Sequence, residues 1–130
     1  MTCIATLSHH QSPEAPPPPK VPPPPSNGRS YFLKTRIRNV FDFAIASVAI
    51  SLTVSGNEIS SSRVVFGGVA PSPYRDLNVE AKLNGSSLAL VDPNAAADAA
   101  LSGATPLQNN AYKVDVAKGL LKEALGQLVV

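Results

Sequence analysis

A chain of 130 residues, 44% of them apolar and 15% charged, can bury one modest core and no more. Its net charge of +2 excludes the strongly basic surface that nucleic acid or an anionic membrane would need as a partner. A lone cysteine, Cys3, excludes an internal disulfide and suits a reducing, cytoplasmic compartment.

The opening MTCIATLSHH has neither the basic start nor the apolar run of a signal peptide, and no stretch of the chain reaches the roughly 20 apolar residues of a membrane span. Eight of the 13 prolines lie between Pro16 and Pro25. The segment PEAPPPPKVPPPPS is therefore polyproline II material, with fixed φ, few amide donors and nothing to place in a core. Residues 1–28 are expected to form a disordered, proline-rich tail or linker, although the same sequence would also fit an SH3 or WW groove. His9 and His10 have no third ligand of suitable type nearby, so no metal site is expected there.

The folded domain is expected over residues 29–130. It opens with a basic cluster, Arg29, Lys34, Arg36 and Arg38. From Phe41, FDFAIASVAISLTV alternates Val48, Ile50, Leu52 and Val54 with the small Ala49, Ser51 and Thr53, the pattern of a strand covered on at least one face. Ser55-Gly56-Asn57-Glu58 supplies turn residues, and Ile59 to Val69 reads as a second strand, antiparallel because the connection is so short. Gly67-Gly68 suggests a bulge or a close backbone approach where that strand ends. After Arg75 the apolar period changes to about 3.6. Leu77–Leu83 predicts a short helix stopped by Gly85. Asp92 caps a second helix, with Pro93 in its first turn and Gly103 closing it. Val116, Ala117, Leu120, Leu121, Ala124, Leu125 and Leu128 form one stripe of a final helix, and Asp115, Lys118, Lys122, Glu123 and Gln127 face away. The expected fold class is α+β: a hairpin-based antiparallel sheet of about three strands, packed on one side against about three C-terminal helices.

No set of catalytic residues assembles from this region. Every histidine, and the only cysteine, lies in the tail, which excludes a Ser–His–Asp triad and a His/Cys zinc site in the domain. Asp42, Glu58, Asp76, Glu80, Asp92, Asp98, Asp115 and Glu123 are accounted for by caps, turns and solvated helix faces. The Gly67-Gly68 pair is not a dinucleotide fingerprint, because that motif needs a third glycine and a helix starting at the glycines, and VAPSP forbids the helix. No catalytic residue and no metal ligand is expected.

The order of motifs carries a resemblance. KVPPPPSNGRSYFLKTRIRNVFDFAIASVAISLTV, then GGVAPSPYR, then an alanine-rich helix, then ATPLQNNAYKVDVAKGLLKEAL is similar to the C-terminal domain of the FAD-binding subunit of molybdenum hydroxylases, the xanthine dehydrogenase, aldehyde oxidoreductase and carbon monoxide dehydrogenase enzymes. It covers about Val21 to Leu128. In that family a molybdopterin subunit hydroxylates the substrate, iron–sulfur clusters relay the electrons, and FAD passes them to an acceptor. The resemblance thus implies FAD as cofactor of the intact subunit. The partners it implies are the two FAD-embracing domains, the molybdopterin subunit and the iron–sulfur subunit. Neither FAD-embracing domain is present, so the expectation is a truncated or split piece of a flavin subunit, with no catalysis of its own. One residue is carried over as cofactor-binding: Lys34, eight positions before Asp42, matches a flavin-contacting lysine of the family. Arg36 and Arg38 are expected to hold the domain against carboxylates or a partner subunit, and Asp42 to cap the next element or pair with one of these arginines. Gly67, Gly68 and Arg75 match the motif with structural or flavin-neighbouring roles. The alternatives from other classes are a non-catalytic adaptor that recruits a partner through its proline tail, and a non-functional gene remnant.

Overall fold

A computed structural model describes residues 18–129. The tail expectations at Cys3, His9, His10 and the prolines up to Pro17 fall outside these residues. Four antiparallel strands form one sheet in the order β1 (Gly28–Thr35), β2 (Ala46–Ser55), β3 (Glu58–Gly67) and β4 (Tyr74–Arg75). Helices α1 (Leu77–Leu83), α2 (Pro93–Ala99) and α3 (Tyr112–Val129) follow, with a single 3-10 turn at Leu88–Leu90. The α+β class stands, with four strands rather than about three. The strands outside the predicted hairpin are β1, whose charges hide a two-residue period, and the two-residue β4.

Alternation decides which face of the sheet is covered. In β2, Ala46, Val48, Ile50 and Leu52 are buried, whereas Ala49 and Ser51 are exposed. The turn at Gly56, with φ +64°, joins β2 to β3. The register then slips between Thr53 and Val54: Thr53 pairs with Ser61 and Val54 with Ile59, so Ser60 is an extra residue. This bulge lets Ile59 face the core together with Ser62, Val64 and Phe66, which a strict alternation would forbid. The first strand was expected to start at Phe41. It starts at Ala46, because the core ends there and residues 36–45 loop outward with Phe41 and Phe43 in solvent.

Helix α3 lies across β1 and β2, α1 lies on β3, and α2 packs between α1 and α3. The α3 stripe is as the sequence predicts: Ala117, Leu120, Leu121, Ala124, Leu125 and Leu128 are buried. Leu121 and Leu125 are wholly inaccessible, and each contributes about 1.5–3 kcal/mol of apolar burial. Arg29 Nη1 donates to the Leu128 carbonyl at 2.9 Å, which fastens the C-terminal end of α3 to β1. Asp92 caps α2 as expected, Asp76 caps α1, and Gly85 takes φ +79° after α1. Gly103 does not close α2. That helix stops at Ala99, four residues earlier, where Leu101 turns left-handed at φ +55° with its side chain buried. A buried carboxylate makes this stop, as described next.

Candidate functional site

With the helices covering one face of the sheet, the other face is open, and its cross-strand rows can be read from the register. Lys34, Ser47 and Gly67 form one row, and Phe32, Ala49, Val65 and Arg75 the next. The central strand contributes only Ser47, Ala49, Ser51 and Thr53 to this face, so a shallow trough runs along it between Phe32 on one side and Arg63 and Val65 on the other. Lys34 stands on this face in strand β1, not in the basic loop that the arginines suggested.

Gly67 packs closely against Ser47 in its row, so a side chain there would have to displace the serine hydroxyl. A Cβ there would lie 2.5 Å from Ser47 Oγ. Gly68, at φ +75°, is required by conformation, and its added Cβ would meet the Ile45 carbonyl at 2.8 Å. The close backbone approach read from Gly67-Gly68 is therefore present. Its effect is to bring the end of β3 flush against the start of β2 beside Lys34.

Beyond Lys34 the chain makes a loop, residues 36–45, closed by a hydrogen bond from the Ile45 amide to the Thr35 carbonyl at 2.7 Å. Its charged residues brace the loop itself. Arg36 donates to the Val40 carbonyl at 3.2 Å and to Asn39 Oδ1 at 2.8 Å. Arg38 Nε pairs with Asp42 at 3.2 Å, which meets the expected arginine pairing of Asp42, and the Asp42 carboxylate also accepts from the Phe43 amide. Among the described residues Lys34 Nζ reaches only the Asp42 carbonyl, at 3.4 Å, and keeps most of its donor capacity there. Bracing turns the apolar residues outward: Ile37, Val40, Phe41 and Phe43 are all exposed, and the last two almost completely. An apolar cluster of this kind beside the open face marks a contact surface.

At the far edge of the sheet, Arg75 makes two bonds to Glu80, at 2.8 and 2.7 Å, and Glu80 Oε1 also accepts from the Val64 amide at 3.0 Å. Glu80 is thus not on a solvated helix face, as its spacing suggested. It is buried and fills the place of a strand partner for β3. Above all the hydrogen bond from Arg75 holds the Glu80 carboxyl below the usual carboxylate range; burial opposes this, and the Val64 amide adds to it. The same bond holds Arg75 above its ordinary value. Arg75 therefore has a structural role, and Asp76 beside it has a larger one. The buried Asp76 carboxylate accepts from the Asn78 and Val79 amides at the start of α1, and from the Leu101 amide at 2.7 Å. That last bond holds the left-handed Leu101. Lys113 was also not singled out by sequence, yet its Nζ donates to the Gly68 carbonyl at 3.1 Å from the first turn of α3. No period in the sequence joins positions 68 and 113, whereas the alternation of β2 would have found Ser47.

Among the described residues no group of three His, Cys, Asp or Glu could hold a metal ion, and no helix is long and apolar enough to cross a membrane.

The profile of the CO dehydrogenase flavoprotein C-terminal domain matches residues 31–128. The aldehyde oxidoreductase FAD-binding subunit PaoB of Escherichia coli is 32% identical over 100 residues, which are 77% of this chain and 28% of that one. The glyceraldehyde dehydrogenase medium chain of Sulfolobus acidocaldarius is 36% identical over 62 residues, 48% of this chain and 22% of that one. The chain thus spans about a quarter of the length of the curated relatives it matches. Among solved structures, carbon monoxide dehydrogenase from Hydrogenophaga pseudoflava superposes with a TM-score of 0.73 at 28% identity, over 83% of this chain and 39% of that one. Quinoline 2-oxidoreductase from Pseudomonas putida 86, at 19% identity and a TM-score of 0.69 over 81% of this chain and 38% of that one, shares the fold.

Proposed function

The chain belongs to the CO dehydrogenase flavoprotein C-terminal domain family, and from that premise we propose that it serves as the C-terminal domain of the FAD-binding subunit of a molybdopterin-dependent hydroxylase or dehydrogenase. The match across residues 31–128 carries this reading. It favours a flavin-subunit domain over an adaptor built around the proline tail, and the working domain runs from residue 29 to the end of the chain. Both curated relatives are named for aldehyde chemistry, which supports an aldehyde-type substrate over a xanthine-type one. The partners are the FAD-embracing domains of the same subunit, the molybdopterin subunit and the iron–sulfur subunit, in the cytoplasm.

The open end of the sheet suits one edge of a flavin. Lys34 offers an ammonium with most of its donors free, Ser47 adds a hydroxyl in the same row, and Gly67 leaves out the side chain that would hold a planar group away. FAD bound there would supply the electron transfer between the iron–sulfur clusters and an acceptor. This chain's own part would be to hold that edge: the Lys34 ammonium would donate to an oxygen of the bound flavin nucleotide, and the exposed Phe41 and Phe43 would cover the seam with the FAD-embracing domains.

The test is to mix the purified chain with the FAD-embracing domains of a relative, add FAD, and follow flavin absorbance through gel filtration. A flavin-bearing complex is expected, and failure of any complex to form would overturn the reading. Lys34→Ala should weaken flavin retention by about 10- to 100-fold, the equivalent of one charge-assisted hydrogen bond, with the melting temperature of the chain unchanged.

A further inference from the structure

We propose that the cavity between the β3–β4 connection and the α2–α3 connection is a binding site for a small aromatic carboxylate. The proposal does not depend on the flavin reading. The cavity has a volume of about 240 Å³. This is below the roughly 300–1,000 Å³ that drug-sized ligands occupy, so the occupant is about one ring in size and no dinucleotide. Val69 and Tyr74 from the β3–β4 connection, Leu101 and Pro106 from the α2–α3 connection, Asn110 just before α3 and Lys113 in its first turn line it.

Charge sets the ligand class. Lys113 is the sole charged residue among the described lining, and no carboxylate accompanies it. Lys113 is half-buried as a residue, and its exposed ammonium spends one donor on the Gly68 carbonyl, which leaves two for an anion. The apolar walls and the Tyr74 ring suit a flat ligand body.

Backbone geometry supports a built site. Leu101 and Gly68 line the cavity, one from each connection, both left-handed, at φ +55° and +75°. A left-handed leucine is costly and persists only where its surroundings enforce it, and such residues gather at ligand clamps. Here the buried Asp76 carboxylate enforces it through the 2.7 Å bond to the Leu101 amide. Both lining segments are therefore held at these residues before any ligand arrives, which lowers the ordering cost of binding.

The test is an amide NMR titration of the full chain with benzoate, benzamide and inorganic phosphate. Benzoate is expected to give saturable shifts at Gly68, Gly103 and Lys113. Benzamide, with the same ring and no charge, should bind at least tenfold more weakly, and phosphate should leave these amides unmoved. Lys113→Met should abolish the benzoate shifts, and Lys118→Met on the same helix should preserve them. Absence of saturable shifts at the three amides, equal binding of benzamide, or the same shifts with phosphate alone would each overturn the proposal. The comparison of benzoate with benzamide uses the unaltered chain, so it stands whatever Lys113→Met does to folding.

Discussion

At the scale of single residues, two buried carboxylates do more than the sequence suggests. Asp76 joins three amides from two helical regions, and its removal leaves the Leu101 amide without an acceptor in a dry site. Asp76→Ala combines the loss of a cap, about 1 kcal/mol, with an orphaned buried donor, about 1–3 kcal/mol. A destabilisation of about 2–4 kcal/mol is expected in urea unfolding, with Leu101 and Gly103 the first positions to lose amide protection. Glu80 has a depressed pKa in the folded chain, so its stabilising effect is complete above its unfolded value of about 4.3 and is lost as pH falls through the lower folded value. In unfolding experiments Glu80→Gln should therefore cost stability at pH 7, and the gap from the unaltered chain should close below about pH 4. A constant gap across that window would show that the Arg75–Glu80 pair contributes nothing through its charge.

At the scale of elements, what the sequence showed and what it concealed have physical causes. Helix α1, the Asp92 cap and the stripe of α3 were legible because each is a local pattern that burial in the fold leaves intact. Strand β1 was concealed because its outward residues, Phe32 and Lys34, break the impression of a polar face, and the neighbouring arginines read as a loop. Phe41 and Phe43 misled in the opposite sense: they look like strand residues, yet no core in this domain receives them. Of the candidate site, Lys34 and the glycine pair could be named from sequence. Ser47 was within reach of the two-residue alternation of β2, whereas Lys113 depends on a pairing that only the fold creates. The Gly67-Gly68 junction is tested by Gly68→Ala, whose strained φ and 2.8 Å approach to the Ile45 carbonyl should cost about 1–3 kcal/mol. Thermal melting should record it as a clear fall in Tm, whereas Gly119→Ala, with open space around the added methyl, should not lower Tm at all.

At the scale of the whole molecule, the two faces of the sheet divide the work. The helix-covered face holds the core and therefore the stability. The open face and the 36–45 loop contribute little to either, so their composition is free to serve contact. Replacing Phe41 and Phe43 together by serine should leave unfolding stability within about 0.5 kcal/mol per site. The same double replacement should weaken capture by the FAD-embracing domains in gel filtration; unchanged capture would place that interface elsewhere.

The sheet's two margins also differ. On the β3 side the Val64 amide is taken by Glu80, and Ile59 exchanges bonds with Gly85 and Ser86, so a newcomer finds its hydrogen-bonding positions already in use. On the β1 side the outward-facing backbone groups between Arg29 and Lys34 have no partner among the described residues. The domain is a fabric hemmed along one side and left raw along the other. Among the described residues, the long free margin for a fifth strand is therefore the one beside Gly28–Thr35.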